Sequence, residues 1–169
     1  MEKKYELTDE VVVVEGVELH RIKALRDFSN AKKGDLGGFI EKEENLSHEG
    51  NCWVSGDARV YGNARVSGNA WVYDNARVYD NARVYDDARV CENALIAKNR
   101  DIVYFSKFGS RDDSTTFFKC SDGSIKCVCG CFTGTLEEFR EKVKETHGDN
   151  KFAKEYLLIA DLVELRFKE

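Results

Sequence analysis

Apolar and polar positions recur every six residues from Asn51 to Ala97, where the chain reads NCWVSG, DARVYG, NARVSG, NAWVYD, NARVYD, NARVYD, DARVCE and NALIA. Each unit opens its apolar pattern with a small residue: Cys52, then Ala58, Ala64, Ala70, Ala76, Ala82, Ala88 and Ala94. Two places later comes an aliphatic one: Val54, Val60, Val66, Val72, Val78, Val84, Val90 or Ile96. Alternate residues of a strand share a face, so each pair points inward from a short strand of about three residues and its neighbours point outward. Gly, Asp and Asn follow each strand, and these residues tolerate left-handed backbone and bond their own turns. A unit this short buries its apolar pair only against its neighbours. The pattern therefore predicts a three-sided solenoid.

Residues one coil apart stack about 4.8 Å above one another, which sorts the outward positions into three walls. One carries Trp53, Trp71 and Arg89 beside Ser55, Tyr73 and Cys91. A second carries Arg59 and Arg77 beside Tyr61 and Tyr79. The third carries Arg65 and Arg83 beside Ser67 and Tyr85. Stacked guanidinium groups repel, so compensation is expected from the corner acids Asp57, Asp74, Asp80, Asp86 and Asp87, or from Tyr rings against the guanidinium planes. The array makes just under three coils. Leu46 and His48 fall in phase with Cys52 and Val54, so an imperfect coil is predicted to begin near Ile40.

Both flanks depart from the period, giving segments 1–45, 46–98 and 99–169. Val11–Val14 and Val17–Leu25 around Glu15-Gly16 read as a β-hairpin that caps the exposed strand edges of the solenoid. The glycines of Lys33-Gly34-Asp35-Leu36-Gly37-Gly38 suggest tight turns, and with Lys32 and Lys33 they form a weak candidate for a phosphate loop. Beyond Asp101, Ile102–Phe108 reads as a strand, and Thr115–Cys120 and Ser124–Phe132 as a hairpin around Asp122-Gly123. Thr135 and Glu138 form a capping box that opens a helix ending near His147 and Gly148. A second helix starts near Asn150. The fold class is mainly β, with an α+β module at the C-terminus: a hairpin followed by two helices.

Composition narrows the function classes. Apolar residues make up 42% and charged residues 34% of the 169, as in a globular protein. No apolar run reaches the ~18 residues of a membrane span, and the polar start MEKKY does not read as a secretory signal. The expectation is a cytoplasmic protein whose six cysteines stay reduced. A net charge of −5 makes duplex DNA an unfavourable partner. Cys127, Cys129 and Cys131 alternate on one strand, about 6.7 Å apart at neighbouring positions. That spacing suits a core better than zinc, so no metal is expected; a site from Cys120, Cys127, Cys129 and His147 is the alternative.

The small-x-aliphatic hexads resemble the hexapeptide-repeat family. That resemblance implies a left-handed parallel β-helix of triangular section, and trimers, which are common among the family's enzymes. The family is best known for acyltransferases with a histidine base. His20, His48 and His147 are the available histidines, and none has an obvious partner acid, inserted loop or nucleophile motif beside it. No catalytic residue and no cofactor is therefore expected. The stretch RIKALRDFSNAKKGDLGGFIEKEENLSHEG and the hexads after it also resemble proteins encoded by bacteriophages and prophages of gut bacteria. The resemblance implies an accessory protein of the infected bacterial cell, one that blocks host defence by sequestering a nucleotide-like signal or a host protein. Candidate ligand contacts are Arg59, Arg77, Arg65, Arg83, Arg89, Tyr61, Tyr79, Tyr73, Tyr85, Trp53, Trp71, Lys32 and Lys33, because Arg forks grip phosphates and aromatic faces stack on bases. A bland reading stands beside this one: the same ladders make a solvated wall or a subunit interface, and a sister subunit is the simplest cover for the tryptophans. Acyl transfer and a virion scaffold are the alternative functions.

Overall fold

A computed structural model describes residues 2–168. Strands β1 (Tyr5–Val14), β2 (Val17–Ala24) and β3 (Leu36–Ile40) lead into eight strands of two residues each. These are β4 (Trp53–Val54), β5 (Arg59–Val60), β6 (Arg65–Val66), β7 (Trp71–Val72), β8 (Arg77–Val78), β9 (Arg83–Val84), β10 (Arg89–Val90) and β11 (Leu95–Ile96). They stack in parallel as three walls: β3-β5-β8-β11, β4-β7-β10 and β6-β9. The chain thus winds a β-solenoid of three coils, with strands one residue shorter than the pattern suggested. Inward columns run Ile40-Val60-Val78-Ile96, Leu46-Val66-Val84 and Val54-Val72-Val90, all of them buried. Ile40 and Ile96 close the two ends of the first column and Leu46 the foot of the second; Val fills every other position. Each corner takes one residue of positive φ, from Gly50, Gly56, Gly62 and Gly68 up to Asp74, Asp80, Asp86 and Glu92.

The first coil begins at Ile40 as expected, but its phase differs. Leu46 bridges Val66 and Ile40 pairs with Val60, whereas Trp53 pairs with Trp71, so this coil is two residues longer than the others. The extra residues are absorbed between Ser47, which bonds Val66, and Asn51, which bonds Gly68. Leu46 therefore fills the aliphatic slot. His48 is extruded from the column and stacks on Tyr5, with ring centroids 4.3 Å apart. Gly37 and Gly38 do not make turns. They lie in β3, where an added Cβ would come within 2.6 Å of Trp53 Cζ2 and of the Ala58 carbonyl oxygen respectively. The turn is at Gly34, with φ +95°.

The two ends of the column present opposite orphan groups. Each coil donates its N–H groups upward, as Trp53 N does to the Ala70 carbonyl, so the bottom is left with carbonyls and the top with N–H groups. At the bottom the β1–β2 hairpin pairs with β3 and covers its free edge. Tyr5 Oη donates to the Leu46 carbonyl at 2.7 Å, and Lys4 Nζ donates to that of Cys52 at 2.8 Å. At the top the requirement reverses, and acceptors appear. Asn99 Oδ1 takes Arg83 N–H at 2.9 Å, and Thr116 Oγ1 takes Arg89 N–H at 3.0 Å.

That top cap belongs to an antiparallel meander of β12 (Ile102–Phe108), β13 (Asp113–Lys119), β14 (Ile125–Cys129) and β15 (Phe132–Thr135). The expected long second strand breaks at Gly130 (φ 59°), and Phe132–Thr135 returns as a separate strand. Phe118, Cys120 and Val128 close the solenoid core, while Phe117 and Cys127 face a second core under helices α1 (Leu136–His147) and α2 (Lys151–Phe167). Thr135 caps α1 through Glu138 N–H, and Asn150 caps α2 through Ala153 N–H. No helix among the described residues is long and apolar enough to cross a membrane.

Candidate functional site

The three ladders end in three different environments. On the β3-β5-β8-β11 wall, the Tyr61 and Tyr79 rings stack at 5.3 Å and 11°. Tyr61 is buried against Val14, Leu19 and Phe39, so the hairpin uses it as core. Arg59 and Arg77 continue the column above Phe39, whose ring carries the Arg21 guanidinium 4.2 Å from its centroid. Arg59 and Arg77 are half-buried.

The β4-β7-β10 wall is enclosed from both flanks. Trp53 is buried by its own chain: its indole meets the Phe28 ring edge-on at 5.1 Å. No sister subunit is required to cover it. Trp71 is half-buried, leans on Tyr73 at 5.1 Å and donates Nε1–H to Ser55 Oγ at 2.9 Å. Tyr73 in turn meets Cys91, and burial pushes that thiol up to about 11. The loop before β3 and the start of β13 rise on either side, leaving a cleft of about 570 Å³ floored by Trp53, Trp71 and Arg89.

Among the described residues, no strand from either flank joins the β6-β9 wall. Arg65 and Arg83 are exposed and in register on it, and Tyr85 beside them is 54% exposed. A concavity of about 890 Å³ opens there, rimmed by Glu43, Glu44, Glu49 and Asp86, of which Glu43 is paired with Lys3. Among the described residues, none of Arg59, Arg65, Arg77, Arg83 and Arg89 forms an ion pair. Of the corner acids expected to compensate them, Asp57 faces Arg21 at 4.0 Å and the others serve the corners. Asp80 and Asp86 adopt positive φ, Asp74 accepts from Glu92 N–H, and Asp87 accepts from Asn69.

Lys32 and Lys33 are exposed, but the loop they belong to has already used its donors. Lys32 N–H goes to Asp35 and Lys33 N–H to Asp27, and this second bond holds the Asp27 carboxyl below its ordinary value. An anion would meet two carboxylates there. The histidines are engaged as well. His20 Nδ1 lies 3.1 Å from the Thr8 carbonyl, and His147 stacks on Tyr156. His48 Nδ1 accepts Lys4 N–H at 3.1 Å, so its neutral ring carries the proton on Nε2 and keeps no free basic nitrogen.

Among the described residues no group of three or more His, Cys, Asp and Glu side chains could hold a metal. Cys120 and Cys127 lie in separate cores, and Cys131 is exposed beyond the end of β14, out of line with the other two. Periodicity could not reveal the acids of the Trp71 cleft. Asp113 reaches it from a different module, and no local motif marks that residue.

The family model described as "YdcK Beta solenoid repeat" matches residues 53–68, 58–74, 70–86 and 76–92. The chain is a β-solenoid repeat protein. Both flanks lie outside those matches, and with them the residues that wall the cleft and close the two ends. No curated protein matches the chain significantly.

Proposed function

We propose that this is a non-catalytic, homo-oligomeric binding protein that takes an anionic, nucleotide-like ligand on its β6-β9 wall. The observation that carries this reading is the pair of exposed guanidinium groups, Arg65 and Arg83, stacked in register without a carboxylate partner. Such forks suit phosphate oxygens. The open Tyr85 ring offers a face for a base, and Glu44 and Glu49 accept from its amino groups. A volume of about 890 Å³ lies within the range of about 300–1,000 Å³ usual for small-ligand sites. His48, whose Nδ1 is taken by the Lys4 N–H, is poorly placed to act as an acyl-transfer base, which favours binding over that chemistry at this wall.

The setting, a phage-encoded protein acting in the cytoplasm of an infected bacterium, rests on the likeness of residues 21–96 to phage and prophage proteins. Sequestering a host signal is the role that fits such a wall. Titration with cyclic and linear nucleotides is the test, with Arg65→Glu and Arg83→Glu as variants. Saturable, salt-sensitive binding that each reversal weakens by about tenfold or more supports the proposal. Absence of binding across the panel overturns it, and an acidic host protein captured through the same arginines would replace the nucleotide as target.

A further inference from the structure

We infer that the cleft over Trp71 binds a neutral saccharide of one or two rings. It stands apart from the β6-β9 wall, and its chemistry is different. Three carboxylates, Asp35, Asp87 and Asp113, face a single guanidinium, Arg89, across the cleft. Arg89 has no second guanidinium in register beside it here, unlike Arg65 and Arg83 on the β6-β9 wall, so the paired grip proposed there for a phosphate is missing from this cleft. A cationic ligand meets the converse problem, because Arg89 is exposed in the same cleft without a carboxylate partner.

Hydroxyl groups satisfy both sides at once. Each donates one hydrogen bond and accepts others, so a polyol serves Asp and Arg together without carrying charge. Several of these acceptors are already held in place. Asp87 Oδ1 accepts from Asn69 Nδ2 at 3.0 Å, Asp113 Oδ1 from Ser114 N–H at 2.7 Å, and Asp35 Oδ2 from Lys32 N–H at 2.8 Å. Asp35 and Asp113 are thus oriented through one oxygen and keep the other for a ligand, while Asp87 also accepts from Tyr104 Oη through Oδ2 at 3.5 Å and is held at both ends.

The aromatic floor supplies the apolar half of the recognition. Trp71 is fixed through Nε1 by Ser55 and supported by Tyr73, so it is a rigid platform that loses little entropy on binding. The C–H face of a pyranose ring is apolar while its rim is polar. A flat indole ringed by Asp, Asn and Arg matches that division. The cleft lies between three parts of the chain, where ligand sites concentrate, and about 570 Å³ is ample for one or two rings.

Trp53 and Trp71 are the only tryptophans, and both floor the cleft, so intrinsic fluorescence reads it directly. A glycan array selects among neutral saccharides, and titration of the full chain follows with the best binder and with maltose, cellobiose and diacetylchitobiose. The expected result is a saturable change for at least one of them. That affinity falls by about tenfold or more in Trp71→Ala and in Asp113→Asn and stays unchanged in Arg65→Glu. Should Trp71→Ala unfold, Trp71→Phe and Asp113→Asn carry the test, read by calorimetry. Failure of every neutral glycan at millimolar concentration overturns the inference. So does competition for the cleft by ATP or by spermidine, which would assign it to an anion or a cation. Nucleotide binding at Arg65 and Arg83 survives any of these outcomes, so the two proposals fail separately.

Discussion

Lys4 Nζ donates to the Cys52 carbonyl at 2.8 Å and lies 3.3 Å from the same residue's Sγ, with no solvent exposure at either residue. The Glu49 and Gly50 carbonyls complete its shell, each at 3.4 Å. Desolvation lowers the ammonium's pKa, while Cys52 opposes that shift. A buried lysine at the foot of a column follows from the direction of the coil-to-coil bonds, which leaves carbonyls at that end and needs donors to meet them. Lys4→Met keeps the volume and removes the donor, orphaning those carbonyls. The expected loss is about 1–3 kcal/mol of unfolding free energy, read from urea denaturation. Unchanged or increased stability would show that desolvating the charge costs more than its bonds return.

Cys91 gives the protein an alkaline weakness. Its thiol is buried on the Trp71 wall and pushed up from the ordinary thiol value to about 11, mainly by burial. The unfolded chain therefore releases this proton first. The stabilisation is complete below pH 9 and is lost as pH rises through 11, amounting to about 2–3 kcal/mol at most. Burial raises Cys127 and Tyr73 as well, and they add in the same direction. Denaturation midpoints between pH 8 and 11 should fall more steeply for the wild type than for Cys91→Ala. Parallel curves would contradict the linkage.

The same burial pattern sorts the thiols by reactivity. Cys131 is exposed, Cys129 is half-buried, and Cys52, Cys91, Cys120 and Cys127 are buried with raised values. Thiolate is the reacting species. A disulfide reagent at pH 7.5 should modify one thiol rapidly in the native protein and all six in denaturant. Cys131→Ser should abolish the rapid phase; if that phase persists, another cysteine is accessible.

The core of the column was legible in the sequence because each small or aliphatic residue has a single place to go. Ala58, Val60 and their equivalents are buried as their period requires. The corners were legible for a similar reason, since only Gly, Asp and Glu stand where φ is positive every sixth residue. The first coil escaped the period because its two additional residues carry no apolar mark, so His48 looked inward where Leu46 is. The walls of the Trp71 cleft were illegible for a deeper reason. Ser29–Leu36 and Asp113 approach Trp71 only through packing of non-repeating segments, and packing at that range leaves no spacing to read.

Gly38 tests whether close approach, not turn geometry, selects glycine in β3. Its added Cβ would lie 2.6 Å from the Ala58 carbonyl oxygen and 2.7 Å from Val54 Cγ1. The two strands cannot part without breaking the Phe39 N–H bond to that carbonyl. Gly38→Ala is expected to cost about 1–3 kcal/mol, as overpacking does. Thermal melting checks it: an unchanged midpoint would mean that β3 shifts freely against β5.

Self-association should run through α2. Leu158, Leu162 and Leu165 are 70%, 51% and 67% exposed, on the side away from the buried Ala153, Tyr156, Ala160 and Val163. Their spacing of four and then three residues is that of a coiled-coil seam, where each apolar side chain inserts between those of a second helix. Three such helices around one axis would close the proposed trimer with the same patch used by every copy. The seam spans only two turns, so association is expected to depend on concentration. Light scattering during size exclusion should give three times the 19.2 kDa chain mass at high concentration and a decline on dilution. Leu158→Glu with Leu165→Glu should yield the monomer without loss of stability, because both side chains face solvent in the single chain. A monomer at all concentrations would remove the trimer, and a trimer that survives both substitutions would move its interface off α2.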